Sequence, residues 1–461
     1  MSSAPVSSPP RPATAGPVRG AEANPSTTLL AARWALSHGL LRTVLASRAR
    51  GGSADARLLR DPELQAEPWE HYRELREHRP FAQAPLGRIT AHHDVATAVL
   101  RSDDFGVADR DQVLPAPVRA GMKLIGPRRY AGVRTPPSML VVDPPDHARF
   151  RRLVSRAFTA KAVAALRTRT EQITAELLED LAGAFALEGG EGSVDLVRRY
   201  AALVPVTVIA EMLGVPAEMR PTLLTWGDGA AASLDMGLPW QRYARAERAL
   251  AAFDAWLRGH LRALRRNPGE DLLSKLVQVS DDDGSGLTEQ ELVATSMLIL
   301  AAGFETTVNL ISNGAVRLFE HPDQRARLAE DPSLWSNAVD EVLRHDSPVQ
   351  RTARMARRDT EVEGVPIAEG EIVVTVLGAA NRDPAVFPDP DRFDVARPNA
   401  REHVAFSSGI HYCLGAALAR MEGEVALRAL FTRFPDLAPA GDGVRRPTII
   451  LRGWETLPVR A

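Results

Sequence analysis

The chain has a single cysteine, Cys413, set in Phe406-Ser-Ser-Gly409-Ile-His411-Tyr-Cys413-Leu-Gly415-Ala-Ala-Leu-Ala-Arg420. A glycine-bearing loop here delivers the thiol to the mouth of an apolar helix, where unsatisfied backbone N–H groups favour a thiolate. Gly415 has no side chain to obstruct a flat ligand lying against the backbone. His411 can donate a hydrogen bond to an anionic edge. An inert buried thiol is the competing reading of these residues alone. A second segment, Ala302-Gly303-Phe304-Glu305-Thr306-Thr307, breaks an otherwise apolar helical run with a carboxylate and hydroxyls. A charge inside a buried helix is expensive unless paired or used. The threonines can alternatively back-bond to the helix and bend it. In a third, Asp143-Pro-Pro-Asp-His147-Ala-Arg149-Phe-Arg151-Arg152, His147 and Arg151 are four apart at a helix start and share a face. Glu341-Val-Leu-Arg344 sets opposite charges three apart in the same way.

These residues need elements to position them, and most of the chain reads as helix by its 3.6-residue apolar spacing. Residues 161–184 and 241–265 are amphipathic runs rich in Ala, Leu, Arg and Glu. The longest pattern opens at Thr288, with Glu291 at capping-box spacing, and stops at His321-Pro322. Thirty-odd residues at 1.5 Å each make a helix of roughly 50 Å, long enough to cross the molecule. Between about Thr360 and Val376 the pattern changes to short strands punctuated by Gly364, Pro366 and Gly370. Residues 381–412 are Pro-rich and irregular. Residues 1–27 are rich in Pro, Ser and Ala and read as a disordered tail. From Leu29 to Leu45 a helical pattern sets Leu30, Trp34, Leu41 and Leu45 on one face, with Arg33, Arg42 and Arg48 along it. Such an acid-poor segment can resemble a transit peptide or a surface anchor. A peripheral helix docked on the domain is the favoured reading.

Composition excludes several classes. A chain of 461 residues with 45% hydrophobic residues can bury a large core. By length it could hold roughly three domains, or one large fold. One cysteine rules out an internal disulfide and any multi-cysteine zinc or iron–sulfur site. With 56 basic against 58 acidic residues, the net charge of −2 argues against a nucleic-acid binder. All but three of the basic residues are arginine, which reads as codon bias. No secretory signal and no uninterrupted transmembrane stretch is expected. A cytoplasmic location without stable membrane insertion follows as the expectation.

Phe406, Gly409, His411, Cys413, Gly415, Leu418, Ala419 and Arg420 stand at the spacing of Phe-Gly/Ser-x-Gly-x-His/Arg-x-Cys-x-Gly. The loop thus resembles the cysteine-ligand signature of the cytochrome P450 superfamily. Ser407 departs from it, standing where glycine is common. The resemblance covers about residues 60–461, including the closing Arg452-Gly453-Trp454 segment. It implies a mainly α fold with a small β-sheet region, and haem between the long central helix and the cysteine loop. Residues 51–461 would form one haem-thiolate domain, preceded by the tail and peripheral helix of residues 1–50.

The resemblance further implies that Cys413 is the proximal ligand of heme b (iron protoporphyrin IX). Ala302, Gly303, Phe406 and Gly415 would border the cofactor, with Gly303 removing bulk where dioxygen sits. Glu305 and Thr306 resemble the family's acid–alcohol pair, the first a proton-relay gate and the second a steadying hydroxyl. His147, Arg151, Arg354 and His411 would meet the two propionates. Glu341 and Arg344 would form a structural pair completed by a third arginine, for which Arg392 and Arg397 are both candidates. Arg149, Arg152 and Arg156 could attract an acidic electron donor. The implied reaction inserts one oxygen atom from O2 into a C–H bond or alkene, with electrons from a separate ferredoxin and its reductase. Pocket-lining segments at about 105–140, 220–245, Ile299–Ala302, Val349–Thr352 and Thr448–Ile450 include Leu300, Val349, Ile449 and Ile450. They suggest an apolar, medium-to-large substrate such as a polyketide, steroid or terpenoid. A peroxide-using peroxygenase and a non-catalytic recruitment module are the related alternatives, and both typically lack the acid–alcohol pair. A cysteine-nucleophile hydrolase would need a histidine poised on Cys413.

Overall fold

The computed structural model describes residues 26–108, 115–188, 192–282 and 286–461. All but the last two residues of the expected tail, 1–27, lie outside the described part. The first helix, α1 (Thr27–Trp34), passes through a π-helical turn, Ala35–Gly39, into α2 (Leu40–Arg50). The other helices used below are α3 (Ala116–Ile125), α4 (Asp146–Val154), α5 (Ala160–Leu187), α6 (Leu203–Met212), α7 (Arg220–Ser233) and α8 (Trp240–Arg266). They continue with α9 (Glu289–Glu320), α10 (Trp335–His345) and α11 (Ala416–Arg433).

The long central helix is α9. Its N-terminus is fixed by a reciprocal cap: Glu291 N–H donates to Thr288 Oγ1 at 3.3 Å, and Thr288 N–H donates to Glu291 Oε2 at 2.8 Å. It ends at His321, whose φ of −126° has left the helical region before Pro322. Among the described residues α9 is the one helix long and apolar enough to cross a membrane, yet 83% of its apolar window is buried inside the protein. The apolar surface is used by packing: α6, α7, α8 and α11 all lie against it. Phe304 is one anchor, and α7 can come close only because Gly227 leaves room, since a Cβ there would overlap the Phe304 ring. Met297, Leu300, Ile311, Leu427 and Leu430 belong to the same core. Each such side chain contributes about 1.5–3 kcal/mol by burial.

Five short strands form the main sheet: β1 (Ala82–Ala84), β2 (Gly87–Thr90), β3 (Phe105–Val107), β4 (Thr352–Ala356) and β5 (Ile372–Thr375). Their order is β1-β2-β5-β4-β3, with β2 parallel to β5 and the other pairs antiparallel. The strand region expected between Thr360 and Val376 supplies β5 and a separate hairpin, Thr360–Val362 with Val365–Ile367. The other four strands of this sheet have three to five residues, too few for alternation to register against a helical background.

Candidate active site

The cysteine loop is held at both ends by one carboxylate. Asp340 of α10 accepts from Arg420 Nε at 2.6 Å and from Arg401 Nε at 3.1 Å, and pairs with His403 Nε2 at 3.2 Å. Burial opposes its ionisation, but the hydrogen bonds from His403 and Arg420 outweigh that and hold its carboxyl below the ordinary range. The Arg420 guanidinium also lies over the Phe406 ring at 4.6 Å, so Phe406 is clamped from beneath. Within the loop, Cys413 N–H donates to Phe406 O at 2.9 Å. Two residues make the turn possible. Gly409 has φ +69°, and a Cβ there would overlap the Leu100 carbonyl; Ser407 takes φ +63° without being glycine.

Cys413 lies at depth in the fold but keeps accessible surface. Burial pushes the thiol up, against the Gly415 N–H and the Arg151 and Arg420 charges, which favour the thiolate. A Cβ added at Gly415 would meet no atom within 4 Å, which leaves the backbone bare on that side.

The opposite wall comes from α9. Ala302 is exposed in the middle of this buried helix, and Thr306, one turn on, is partly open. Thr306 Oγ1 donates to Ala302 O at 3.0 Å. Gly303 is placed differently from the expectation: its missing Cβ faces Ile209 of α6 at 3.0 Å, so the glycine serves helix packing and Ala302 is the small residue on the open face. Glu305, a further 100° round the helix, is buried and borders a cavity of about 580 Å³ with Asp228, Arg242 and Arg446. Burial pushes its carboxyl up, while Arg446, 3.1 Å away, pulls it down. Thr307 hydrogen-bonds Glu422 of α11, which sets the open stripe beside the helix that follows Cys413.

Four polar residues converge beside the loop. The His147 and His411 rings lie 4.2 Å apart, and Arg151 donates to Tyr412 O at 2.6 Å. Arg354 arrives on β4, buried, with Thr352 Oγ1 and the Ala353 carbonyl as its local acceptors. Asp143 is the acid that faces them, held down to about 2 by hydrogen bonds from His411, Val107 N–H and Arg357 that outweigh its burial. Burial, with His411 and Arg151 beside it, lowers His147 to about 4. Burial lowers His411 too, and its Nε2 stands 3.9 Å from Asp143 Oδ1. The group therefore offers more donors than acceptors.

The buried Glu341–Arg344 pair is bidentate, at 2.7 and 2.8 Å. Arg397 completes it, 3.2 Å from Glu341, and donates to the carbonyls of Pro388, Asp389 and Arg392. Arg392 does not join by its side chain, which is exposed and 3.6 Å from Asp394; only its carbonyl takes part. Arg149 is tied to Glu291 across the helix start, which leaves Arg152 and Arg156 as the exposed charges of that surface. Leu300 is fully buried in the core and lines no opening. Arg446, Asp340 and Glu422 went unread in the sequence. No motif spacing links them to their partners, and only an unexplained buried acid at Glu305 signalled that some distant cation was required.

A haem fits these residues. An exposed cysteine flanked by cations, a bare backbone at Gly415, an exposed Ala302 inside a buried helix and the convergence of His147, Arg151, Arg354 and His411 suit a flat group with a cationic metal and anionic edges. Comparisons with known proteins agree. The family model described as Cytochrome P450 matches residues 232–448. The chain is 49% identical over 428 residues to "Putative cytochrome P450 140" of Mycobacterium tuberculosis, covering 92% of this chain and 96% of that protein. It is 45% identical over 321 residues to the 6-deoxyerythronolide B hydroxylase of Saccharopolyspora erythraea, covering 69% and 76%. The ligand-free crystal structure of Mycobacterium smegmatis CYP164A2 superposes with a TM-score of 0.76 at 33% identity, covering 92% of this chain and all of that one. Fold, site and relatives converge: the chain belongs to the bacterial cytochrome P450 monooxygenases, a family whose cofactor is haem iron.

Proposed function

We propose that this monooxygenase inserts one oxygen atom from O2 into a C–H bond or alkene of an apolar, medium-to-large molecule such as a polyketide, steroid or terpenoid. It acts in the cytoplasm, with electrons from a separate ferredoxin and reductase. The similarity to a hydroxylase of 6-deoxyerythronolide B supports a polyketide-like substrate. Cys413 would hold heme b through its thiolate, and the group would supply dioxygen binding and activation. His147, Arg151, Arg354 and His411 would hold its carboxylates. Ala302 would border the bound group from α9, and Phe406 and Gly415 from the cysteine loop. Gly303 supports that wall indirectly, by allowing α6 to pack against α9. Glu305 exchanges protons with the cavity it shares with Asp228 and Arg446, and the Thr306 hydroxyl presents one at the open face.

The observation that carries this reading is the exposed Ala302–Thr306 stripe of a buried helix, tied through Thr307 and Glu422 to the helix that follows the exposed Cys413. The deciding experiment is the spectrum of the reduced protein with CO. A strongly red-shifted Soret band that disappears in Cys413→Ala is expected. Its absence, or its persistence in that variant, would overturn the assignment.

A further inference from the structure

Acidic residues are spread along the chain, yet none occurs between Glu22 and Asp55, and none between Asp111 and Asp143. These are its two longest acid-free stretches, and the fold packs them together. Arg33 of α1 donates to Gly126 O just after α3 at 2.7 Å, and a Cβ at Gly121 of α3 would touch Leu36 at 2.9 Å. The inner side of the α1–α2 rod is fully engaged. Trp34 Nε1 donates to Leu238 O at 2.8 Å, Leu238 N–H donates to His38 Nδ1 at 3.0 Å, and Arg42 donates to Gly237 O at 2.9 Å. These contacts clamp the rod onto the loop joining α7 to α8 and fix which side faces outward.

The outward side is unusual for a protein surface. Of the ten large hydrophobic residues exposed among the described residues, four (Leu29, Leu40, Val44 and Leu124) lie on these three helices. Leu124, at the end of α3, is 90% exposed, the most of the ten. Lys123, Arg48 and Arg50 are exposed on the same elements, and no acidic side chain accompanies them in sequence. Exposed apolar side chains and exposed cations on the same three helices, with no acid in either stretch, complement a surface that is anionic outside and apolar beneath.

We propose that the outer face of α1, α2 and α3 is a peripheral docking surface for an anionic lipid bilayer, with Leu124 and Leu40 entering the headgroup–acyl boundary. A second copy of the chain is a poorer occupant, because a two-fold interface would set this acid-free surface against itself. Docking would place the clamped α7–α8 loop at the lipid surface, where apolar molecules partition. No span of the membrane is involved, since α9 is buried in the protein.

The test is co-sedimentation of the full-length holoprotein with vesicles of equimolar phosphatidylglycerol and phosphatidylcholine, compared with phosphatidylcholine alone. Binding to the anionic vesicles is expected, weakened by at least about ten-fold on the neutral ones and reduced by high salt. Leu124→Asp, and separately the triple Arg48→Glu, Arg50→Glu and Lys123→Glu, should each weaken it by about ten-fold or more without changing the reduced-CO spectrum. No sedimentation at low salt, or undiminished binding by both variants, overturns the proposal. So does a concentration-dependent dimer, or binding to an acidic protein, that these substitutions abolish while vesicles remain unbound.

Discussion

Glu305 and Arg446 meet across 3.1 Å inside the protein, the acid on the central helix and the arginine on the closing segment of the chain. Arg446 reaches on to Asp228 of α7 at 2.7 Å, at the rim of the shared cavity. The buried acid thus has a path of charged groups to solvent and one cation that keeps it ionisable. Its carboxyl is pushed up by burial and pulled down by Arg446. Arg446→Met removes the opposing charge, so the carboxyl rises further. An acid raised above its unfolded value contributes stability at low pH that is lost as pH climbs through the folded value. The variant should be destabilised by about 1–3 kcal/mol at pH 8 and markedly less at pH 5. Denaturant melts at the two pH values decide it; equal losses would mean Glu305 is not the affected group.

Thr306 combines a back-bond to Ala302 with an open face, so its structural and chemical roles can be separated. Thr306→Ala should retain the reduced-CO band and the melting temperature within a few degrees. Its coupling of electrons to product should fall by about ten-fold or more, the electrons appearing as peroxide. Thr306→Ser restores the hydroxyl and should recover most of the coupling. Fully coupled turnover in the alanine variant would remove Thr306 from the chemistry.

What the sequence made legible is local. The capping box at Thr288–Glu291, the stop at His321-Pro322 and the cysteine signature are each written within a few residues, and the structure contains the helix and loop they describe. Gly303 shows the limit, because the same small residue suits a ligand face or a helix crossing. Only the position of Ile209 distinguishes them. Arg446 and Asp340 take their meaning from partners far away in sequence, which periodicity does not encode. Arg392 and Arg397 were equivalent by spacing because the backbone turn that buries one and exposes the other has no sequence period.

That last distinction gives a paired test. Arg397→Ala strips Glu341 of one cation, leaves the Pro388 carbonyl without its donor and those of Asp389 and Arg392 with one donor fewer, and should cost about 3–5 kcal/mol. Arg392→Ala keeps its carbonyl in place and should change stability by no more than about 0.5 kcal/mol. Comparable losses in the two would contradict the arrangement around Glu341.

Ser407 explains its own departure from the signature. With φ +63° it occupies the region where glycine carries no Cβ penalty, and its buried Oγ has no hydrogen-bond partner. Ser407→Gly should therefore stabilise the protein by about 0.5–1 kcal/mol, the relieved strain exceeding the entropy that glycine adds to the unfolded chain. A rise of a degree or two in melting temperature, with an unchanged reduced-CO spectrum, is the expected readout. A fall would show that the serine hydroxyl does structural work in the loop.

Glu422 is the second buried acid beside α9, with Thr307 as its hydrogen-bond partner and Oε2 without one. Burial raises its carboxyl well above the ordinary range. The folded state therefore holds this proton more tightly than the unfolded chain. The contribution is complete below the unfolded value near pH 4.3 and is lost as pH rises, by about 1.4 kcal/mol per pH unit, until the folded group ionises. Glu422→Gln keeps the shape and titrates in neither state, so its advantage over the wild-type protein should be absent near pH 4.3 and grow steadily above it. Denaturant midpoints for the two proteins between pH 5 and pH 8 provide the comparison. Parallel curves would mean that Glu422 is not buried as a neutral acid.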